Sequence, residues 1–309
     1  MYRCRLIKII LMIKLTTNKF ITHKKGETWS DCQDAAEFNA NRGRYAVADG
    51  VTRSLFPKMW ADLLVKNFCE ETTLSLEKQN WKGWIAPLQQ KWLEQAISTV
   101  QETKRFISVD RLSRSESAAS TFVGLEIDRT KSEWKAMIIG DSCLFHIEGS
   151  ELKEIYLVKK SEDFTNRPEI FASFAKDSPY EPTFVTGQIN SGDMFILATD
   201  ALAKWIIQHE ETGKLEDVLK RLFSIDGHKQ QFDDFVEKAR ETEGIYLAND
   251  DVTLMLISVK SDQQPRKVEP ISQELVQQNP WLVLFVCLLA GGGMLVGLYL
   301  VFYFLLKST

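Results

Sequence analysis

The chain has 309 residues, 44% of them apolar, and a formal net charge of -4, which suffices for one substantial core or two small ones. Lysine and arginine are in excess only within the first 25 residues, so there is no broad basic face and nucleic acid is excluded as a partner. The five cysteines, Cys4, Cys32, Cys69, Cys143 and Cys287, are scattered without a C-x-x-C pair; this excludes a disulfide framework and a zinc site and fits a reducing compartment.

In chain order, Met1 to Leu15 is apolar but interrupted by Arg3, Arg5, Lys8 and Lys14, and it lacks a small-residue cleavage site. Residues 1–16 are therefore expected to be an extension or a first strand rather than a secretory signal. Lys19 to His23 reads as an edge strand, followed by a polar turn at Lys24 to Glu27. Tyr45 to Ala48 is the first strong strand and runs directly into Asp49-Gly50. Pro57 suits the first turn of a helix whose apolar positions Met59, Leu63, Leu64 and Phe68 recur at helical spacing to about Leu76. A second amphipathic helix is expected from Trp84 to Ile107, with Leu88, Trp92, Ala96, Ile97 and Val100 on one face. Both helices should pack on a sheet, with their tryptophans in the core.

From Ala119 the period changes. Thr121 to Ile127, Trp134 to Ile139, Leu144 to Ile147 and Glu154 to Val158 are short strand-like runs separated by turn residues, which predicts an antiparallel meander. Lys159 to Tyr180 is irregular, with a short helix expected around Glu169 to Phe174. Strands resume at Thr183 to Thr186 and Met194 to Thr199. Helical runs follow at Leu202 to Gln208, Leu215 to Phe223 and Gln230 to Thr242, and the last strand spans Val252 to Val259.

Ser261 to Asn279 is polar and contains two prolines, as a linker of roughly twenty residues would. Trp281 to Leu306 then carries no charged residue. As a helix rising ~1.5 Å per residue it outreaches a ~30 Å hydrocarbon core, which predicts a tilted membrane span. Trp281, Tyr299 and Tyr303 sit at its borders as interfacial anchors. Lys260, Arg266 and Lys267 precede the span and Lys307 alone follows it, so the positive-inside bias places the preceding domain in the cytoplasm, tethered by a single C-terminal pass. Gly293 and Gly297 fit the small-xxx-small spacing of helix association, a route to a weak homodimer. The expected layout is residues 1–16, a folded domain over 17–260, a linker over 261–280 and the span over 281–306.

Within the folded region, three apolar runs end on an aspartate: Val47-Ala48-Asp49-Gly50, Ile138-Ile139-Gly140-Asp141 and Leu197-Ala198-Thr199-Asp200. Asn249-Asp250-Asp251-Val252 reverses the order, with carboxylates leading into the strand. Taken singly, each is a hairpin turn or a cap. Strands stacked in a common core bring their ends to a common edge, and carboxylates gathered there repel one another unless a cation neutralises them. An oxygen-only donor set suits magnesium or manganese. His146, His209 and His228 read as structural or solvent-facing.

The succession Cys32-Gln33-Asp34-Ala35, Val47-Ala48-Asp49-Gly50, Ala119-Ser120-Thr121, Gly140-Asp141-Ser142, Leu197-Ala198-Thr199-Asp200-Ala201-Leu202 and Asp250-Asp251-Val252-Thr253 resembles the ordered motifs of the metal-dependent protein phosphatase 2C family, over about Thr17 to Lys260. Thr22-His23 and the late Asp-Ala-Leu-Ala are similar to a divergent bacterial branch. The resemblance implies an α+β fold, a β-sandwich of two antiparallel sheets flanked by helices (α-β-β-α); the transmembrane helix expected from the uncharged run would follow it. It implies that Asp49 bridges two manganese or magnesium ions with help from the Gly50 carbonyl, and that Asp200 and Asp250 complete the pair. By the same resemblance Asp34 is a ligand or holds metal-bound water, and Asp141 borders a third, weaker position. Two ions activate water without a protein nucleophile, so Ser142, Cys32 and Cys143 receive no such role.

The chain departs from the family pattern where substrate would bind. Trp29 stands where many members place a phosphate-binding arginine, and Asp49-Gly50-Val51-Thr52-Arg53 lacks two glycines and a histidine. Gly140-Asp141-Ser142-Cys143 lacks an arginine. Arg53, Lys24 and His23 are the candidates left for phosphate contact, and each also reads as an ordinary surface residue. The resemblance thus implies a membrane-tethered phosphatase acting on serine or threonine phosphoesters of proteins, the counterpart of a Ser/Thr kinase system. Two alternatives stand beside it: a pseudophosphatase serving as a membrane-anchored binding module, and a phosphoesterase acting on a small molecule.

Overall fold

The computed structural model describes residues 13–261 except 72, 73, 150, 166 and 226. The expected span, its linker and the Gly293–Gly297 motif lie outside the described residues. Among the described residues no helix is long and apolar enough to cross a membrane.

Two five-stranded antiparallel sheets form the centre. The first has the order β1 (Ile13–Thr22), β12 (Val252–Ser261), β11 (Asp193–Ala198), β7 (Cys143–Glu148), β8 (Glu151–Tyr156). The second has the order β10 (Thr183–Gln188), β6 (Glu133–Ile139), β5 (Phe122–Asp128), β3 (Arg44–Asp49), β2 (Asp34–Asn39). A small pair, β4 (Ala119–Ser120) with β9 (Phe171–Ala172), lies apart.

Side-chain alternation explains why the central strands read as unbroken apolar runs. On β3, Tyr45 and Val47 face the other sheet while Ala46 and Ala48 face helices, so both faces are dry. β11 and β12 behave alike: Phe195, Leu197, Met255 and Ile257 fill the space between the sheets, and Ile196, Leu254 and Leu256 pack outward. The outer face of the second sheet is covered by α1 (Pro57–Glu70) and α2 (Trp81–Thr103), through buried Trp60, Leu64, Phe68, Trp84 and Trp92. The outer face of the first is covered by α4 (Asp200–Glu211), α5 (Leu215–Phe223) and α6 (Lys229–Glu241), through Trp205, Leu222, Phe232 and Val236. The result is the expected α-β-β-α layering.

Four local expectations are corrected. The run from Thr121 to Val158 is not one meander: β5 and β6 belong to the second sheet, β7 and β8 to the first, and the chain changes sheet at Gly140-Asp141. Gly140 makes this crossing with φ +94°, and a Cβ there would lie 2.5 Å from the Thr121 side chain and 2.8 Å from the Glu169 carbonyl. Glu169 to Phe174 forms no helix; it supplies β9, followed by a 3-10 turn at Ala175–Asp177. The second helix stops at Thr103, because Lys104 takes a left-handed φ of +50°, and α3 (Phe106–Ser113) starts afresh. Finally, the first helix ends at Glu70 rather than near Leu76, since Glu71 turns extended. Ahead of it, Asp34 opens strand β2, which pairs with β3 in a register that sets Asp34 opposite Asp49.

Candidate metal centre

Each candidate carboxylate lies where an element begins or ends. Asp34 opens β2, Asp49 closes β3, Asp141 follows β6, Asp200 begins α4 directly after β11, and Asp250 precedes β12. Antiparallel partners lie about 4.5–5.5 Å apart at Cα, so register alone brings the Asp34 and Asp49 backbones together. The Asp200 side adjoins them because Thr199 donates its hydroxyl to Asp34 Oδ2 at 2.8 Å. Thr253 Oγ1 donates to the same oxygen at 2.7 Å. Asp34, 1% exposed, is thereby bonded to residues flanking Asp200 and Asp250 on the opposite sheet.

The electrostatics are those of crowded anions. Asp49 keeps an open edge, but protein packs around its carboxyl; burial, then Asp34, Asp200, Asp141 and Asp250 in turn, hold it well above the usual carboxylate range. Burial raises Asp34 as well, and the negative charges of Asp251 and Asp200 add to this, while its two threonine bonds oppose the shift. Burial and Asp200 push Asp141 up to about 7. Asp200 is raised by burial and by Asp250. One Asp141 oxygen, Oδ1, is buried without a hydrogen-bond partner.

These residues fit a pair of hard divalent cations: the donors are all oxygen, several carboxylates are destabilised by one another, and a buried carboxylate oxygen lacks a donor. Among the described residues, no three acidic, histidine or cysteine side chains are already drawn together as a ready ligand set. The fold thus brings the carboxylates within electrostatic reach but does not close them into a cage. Gly50 lies on the same floor, where a Cβ would come within 2.9 Å of the Gln33 carbonyl and 3.0 Å of Pro57. Only glycine lets the backbone pass there.

Asp250 and Asp251 have separate tasks. Asp251 is buried, and its two oxygens accept the Lys24 N–H at 2.9 Å and the Gln33 N–H at 2.7 Å, so it fixes backbone. Asp250 is half-exposed and ion-paired to Lys24 Nζ at 3.0 Å. Thr199, Thr253 and Asp251 are site-building residues that the sequence reading left unassigned. The signal was present in Ala198-Thr199-Asp200 and Asp251-Val252-Thr253, where a hydroxyl accompanies each outer carboxylate.

Other candidates are sorted by their surroundings. Burial pushes the Cys32 thiol up to about 12 and raises the Cys143 thiol further, so neither is a poised nucleophile. His146 is buried, stacked on Phe195, with Nε2 3.2 Å from Asp193 at the end of β7 and β11 remote from Asp200. Trp29 is 54% exposed, edge-on to His23, with Lys229 Nζ 4.8 Å from its ring centre. Arg53 is exposed, and its carbonyl accepts a bond from Arg111.

Two facing antiparallel sheets, helices outside both, and carboxylates converging at one strand-end edge define a class of α-β-β-α domains with an acidic edge. The family model described as protein phosphatase 2C matches residues 26–250, and the chain belongs to this family. Among solved structures the chain is similar to PppA, a regulatory component of the T6SS in Pseudomonas aeruginosa, at TM-score 0.53 and 17% identity over 79% of this chain and 97% of that one. It is similar to a bacterial serine phosphatase at TM-score 0.51 and 14% identity, covering 81% and 100% of the two chains. A serine/threonine phosphatase of S. agalactiae gives TM-score 0.50 and 15% identity, covering 80% and 100%. At these identities the likeness establishes the fold. None of the curated proteins matches the chain.

Proposed function

We propose that the chain is a metal-dependent protein phosphatase acting on serine or threonine phosphoesters. The observation that carries this reading is the mutual destabilisation of Asp34, Asp49, Asp141 and Asp200 at one cleft, since carboxylates so placed favour divalent cations. Asp49, Asp200 and Asp250, with the Gly50 carbonyl, would hold two manganese or magnesium ions, and Asp141 would border a third position. Bound there, the ions supply an activated water and charge stabilisation at the phosphoryl group. Asp34, oriented by Thr199 and Thr253, is set to direct a proton or a water molecule at the cleft floor. Asp251 keeps the loop at Lys24 and Gln33 against the start of β12. The intact carboxylate set argues against a purely scaffolding role, even with Trp29 in the arginine position.

The uncharged run from Trp281 to Leu306 supports a membrane tether, with the 17–260 domain on the cytoplasmic side near the substrates of a Ser/Thr kinase system. Manganese-dependent hydrolysis of a phosphoserine or phosphothreonine peptide tests the activity. Asp49→Asn and Asp200→Asn should each lower kcat by about a hundredfold or more while leaving the protein folded. Activity surviving both substitutions overturns the proposal. Removal of residues 263–309 should move the protein from the membrane pellet to the supernatant without changing manganese affinity; a truncated chain that still pellets argues against the tether.

A further inference from the structure

We propose that Lys24 supplies the phosphate contact of this site, and that in the metal-free protein its ammonium takes the place of a cation on Asp250. The inference rests on the metal-dependent reading above and adds to it the residue that meets substrate. Lys24 Nζ lies 3.0 Å from Asp250 Oδ1, and the two side chains are 28% and 47% exposed, so the pair sits at the lip of the cleft. The lysine charge acts on Asp200 as well.

The base of Lys24 cannot drift. Its N–H donates to Asp251 Oδ1 at 2.9 Å, and its carbonyl lies 2.9 Å from His23 Nδ1. Arg240 Nη2 donates to the Asp250 carbonyl at 2.6 Å and to the His23 carbonyl at 3.4 Å, tying both strand ends together. Thr22, two residues earlier, pairs with Val252 at the end of β1 and the start of β12. A fixed backbone carrying a flexible four-carbon stem keeps the ammonium beside the carboxylates while leaving its tip free to change partner.

The other nearby cations are placed differently: Arg53 is exposed, and Lys204, whose charge also reaches Asp200, is not ion-paired to Asp250. Lys25 turns to Glu237 and Glu241, Lys204 lies over the Phe164 ring, and Lys229 lies over Trp29. Trp29 offers no ionic donor. A divalent charge shared by Asp49, Asp200 and Asp250 would displace a single positive charge from Asp250. The released ammonium, still held at the cleft lip, would then meet phosphoryl oxygens as a point-charge donor. This arrangement accounts for an active site without the family's arginine.

The test uses the full chain in detergent, with manganese alone titrated by calorimetry and with para-nitrophenyl phosphate as substrate. Lys24→Met keeps the apolar stem and should tighten manganese binding about two- to fivefold, because an ion pair of this kind no longer competes. The same variant should raise KM about tenfold with a smaller change in kcat, as expected for loss of one charged contact. Lys24→Arg should restore KM, and Lys25→Met should leave both constants at wild-type values. Lys24→Gln replaces the methionine variant should that one not fold. If wild-type protein binds manganese and turns over, but either constant is unchanged in the Lys24 variant, this inference falls alone. Absence of manganese binding or turnover in wild-type protein overturns the metal-dependent reading and this inference with it.

Discussion

Asp34 shows how much of an acidic site can depend on hydroxyl groups. Its Oδ2 receives Thr199 and Thr253, and the Thr199 hydroxyl in turn accepts the Thr253 N–H at 3.0 Å, closing a small network. Thr253→Val should lower unfolding stability by about 1–2 kcal/mol, measured by denaturant titration, because a buried acceptor loses a donor. The same site sets the pH dependence of the metal-free protein. Asp141 titrates near 7 when folded against an ordinary value of 3.8, so folding takes up a proton. Stability from that group is fully present below pH 3.8 and is lost as pH rises through about 7. Asp34, Asp49 and Asp200 are raised too, and each contributes with the same sign, up to about 1.4 kcal/mol per pH unit. In chelator, the thermal midpoint should therefore fall between about pH 5 and pH 8, and manganese should restore more of it at the higher pH. A midpoint rising over that range in chelator would contradict the crowded-anion picture. Asp49, Asp141, Asp200 and Asp250 were legible in the sequence because each ends or begins an apolar run, whereas Asp34 was reached only through the family resemblance. The threonine partners of Asp34 were not legible, since those bonds join residues 165 and 219 positions apart, and only the packing of two sheets brings them together.

At the scale of elements, strands buried on both faces announced themselves, as did helices with strong apolar periodicity. Elements defined by pairing alone did not: β4 and β9 have two residues each, and β2 begins on a charged residue. The sheet change at Gly140 was hidden for a related reason, because a glycine between two apolar runs looks the same whether the next strand folds back or crosses over. One buried cation joins elements in a way periodicity cannot reveal. Arg44, at the start of β3, donates to the carbonyls of Phe68, Glu71 and Leu74 around the end of α1, and pairs with Glu126 of β5 at 2.9 Å. It satisfies carbonyls that a helix end leaves open. Arg44→Met should lower stability by about 3 kcal/mol by stranding those carbonyls and Glu126. Manganese affinity should be unchanged in the folded fraction, since Asp49 lies at the other end of the strand. A thermal shift with calorimetry separates the two effects.

At the scale of the molecule, the family resemblance implied a sandwich, and three apolar layers form it, one between the sheets and one beneath each set of helices. What composition could not foresee is how the two sheets are held in register; Lys19 on β1 reaches the Ala36 carbonyl and Glu37 on β2, and Asp34 adds a buried link. A single carboxylate on β2 grips hydroxyls next to β11 and on β12, so one sheet cannot slide past the other without both bonds breaking at once. The acidic edge is thus also a shear pin. Slow amide exchange in β2, β3, β11 and β12 should report a single cooperative opening, and Asp34→Ala should lower protection in all four strands, since the apolar layer between the sheets still couples them.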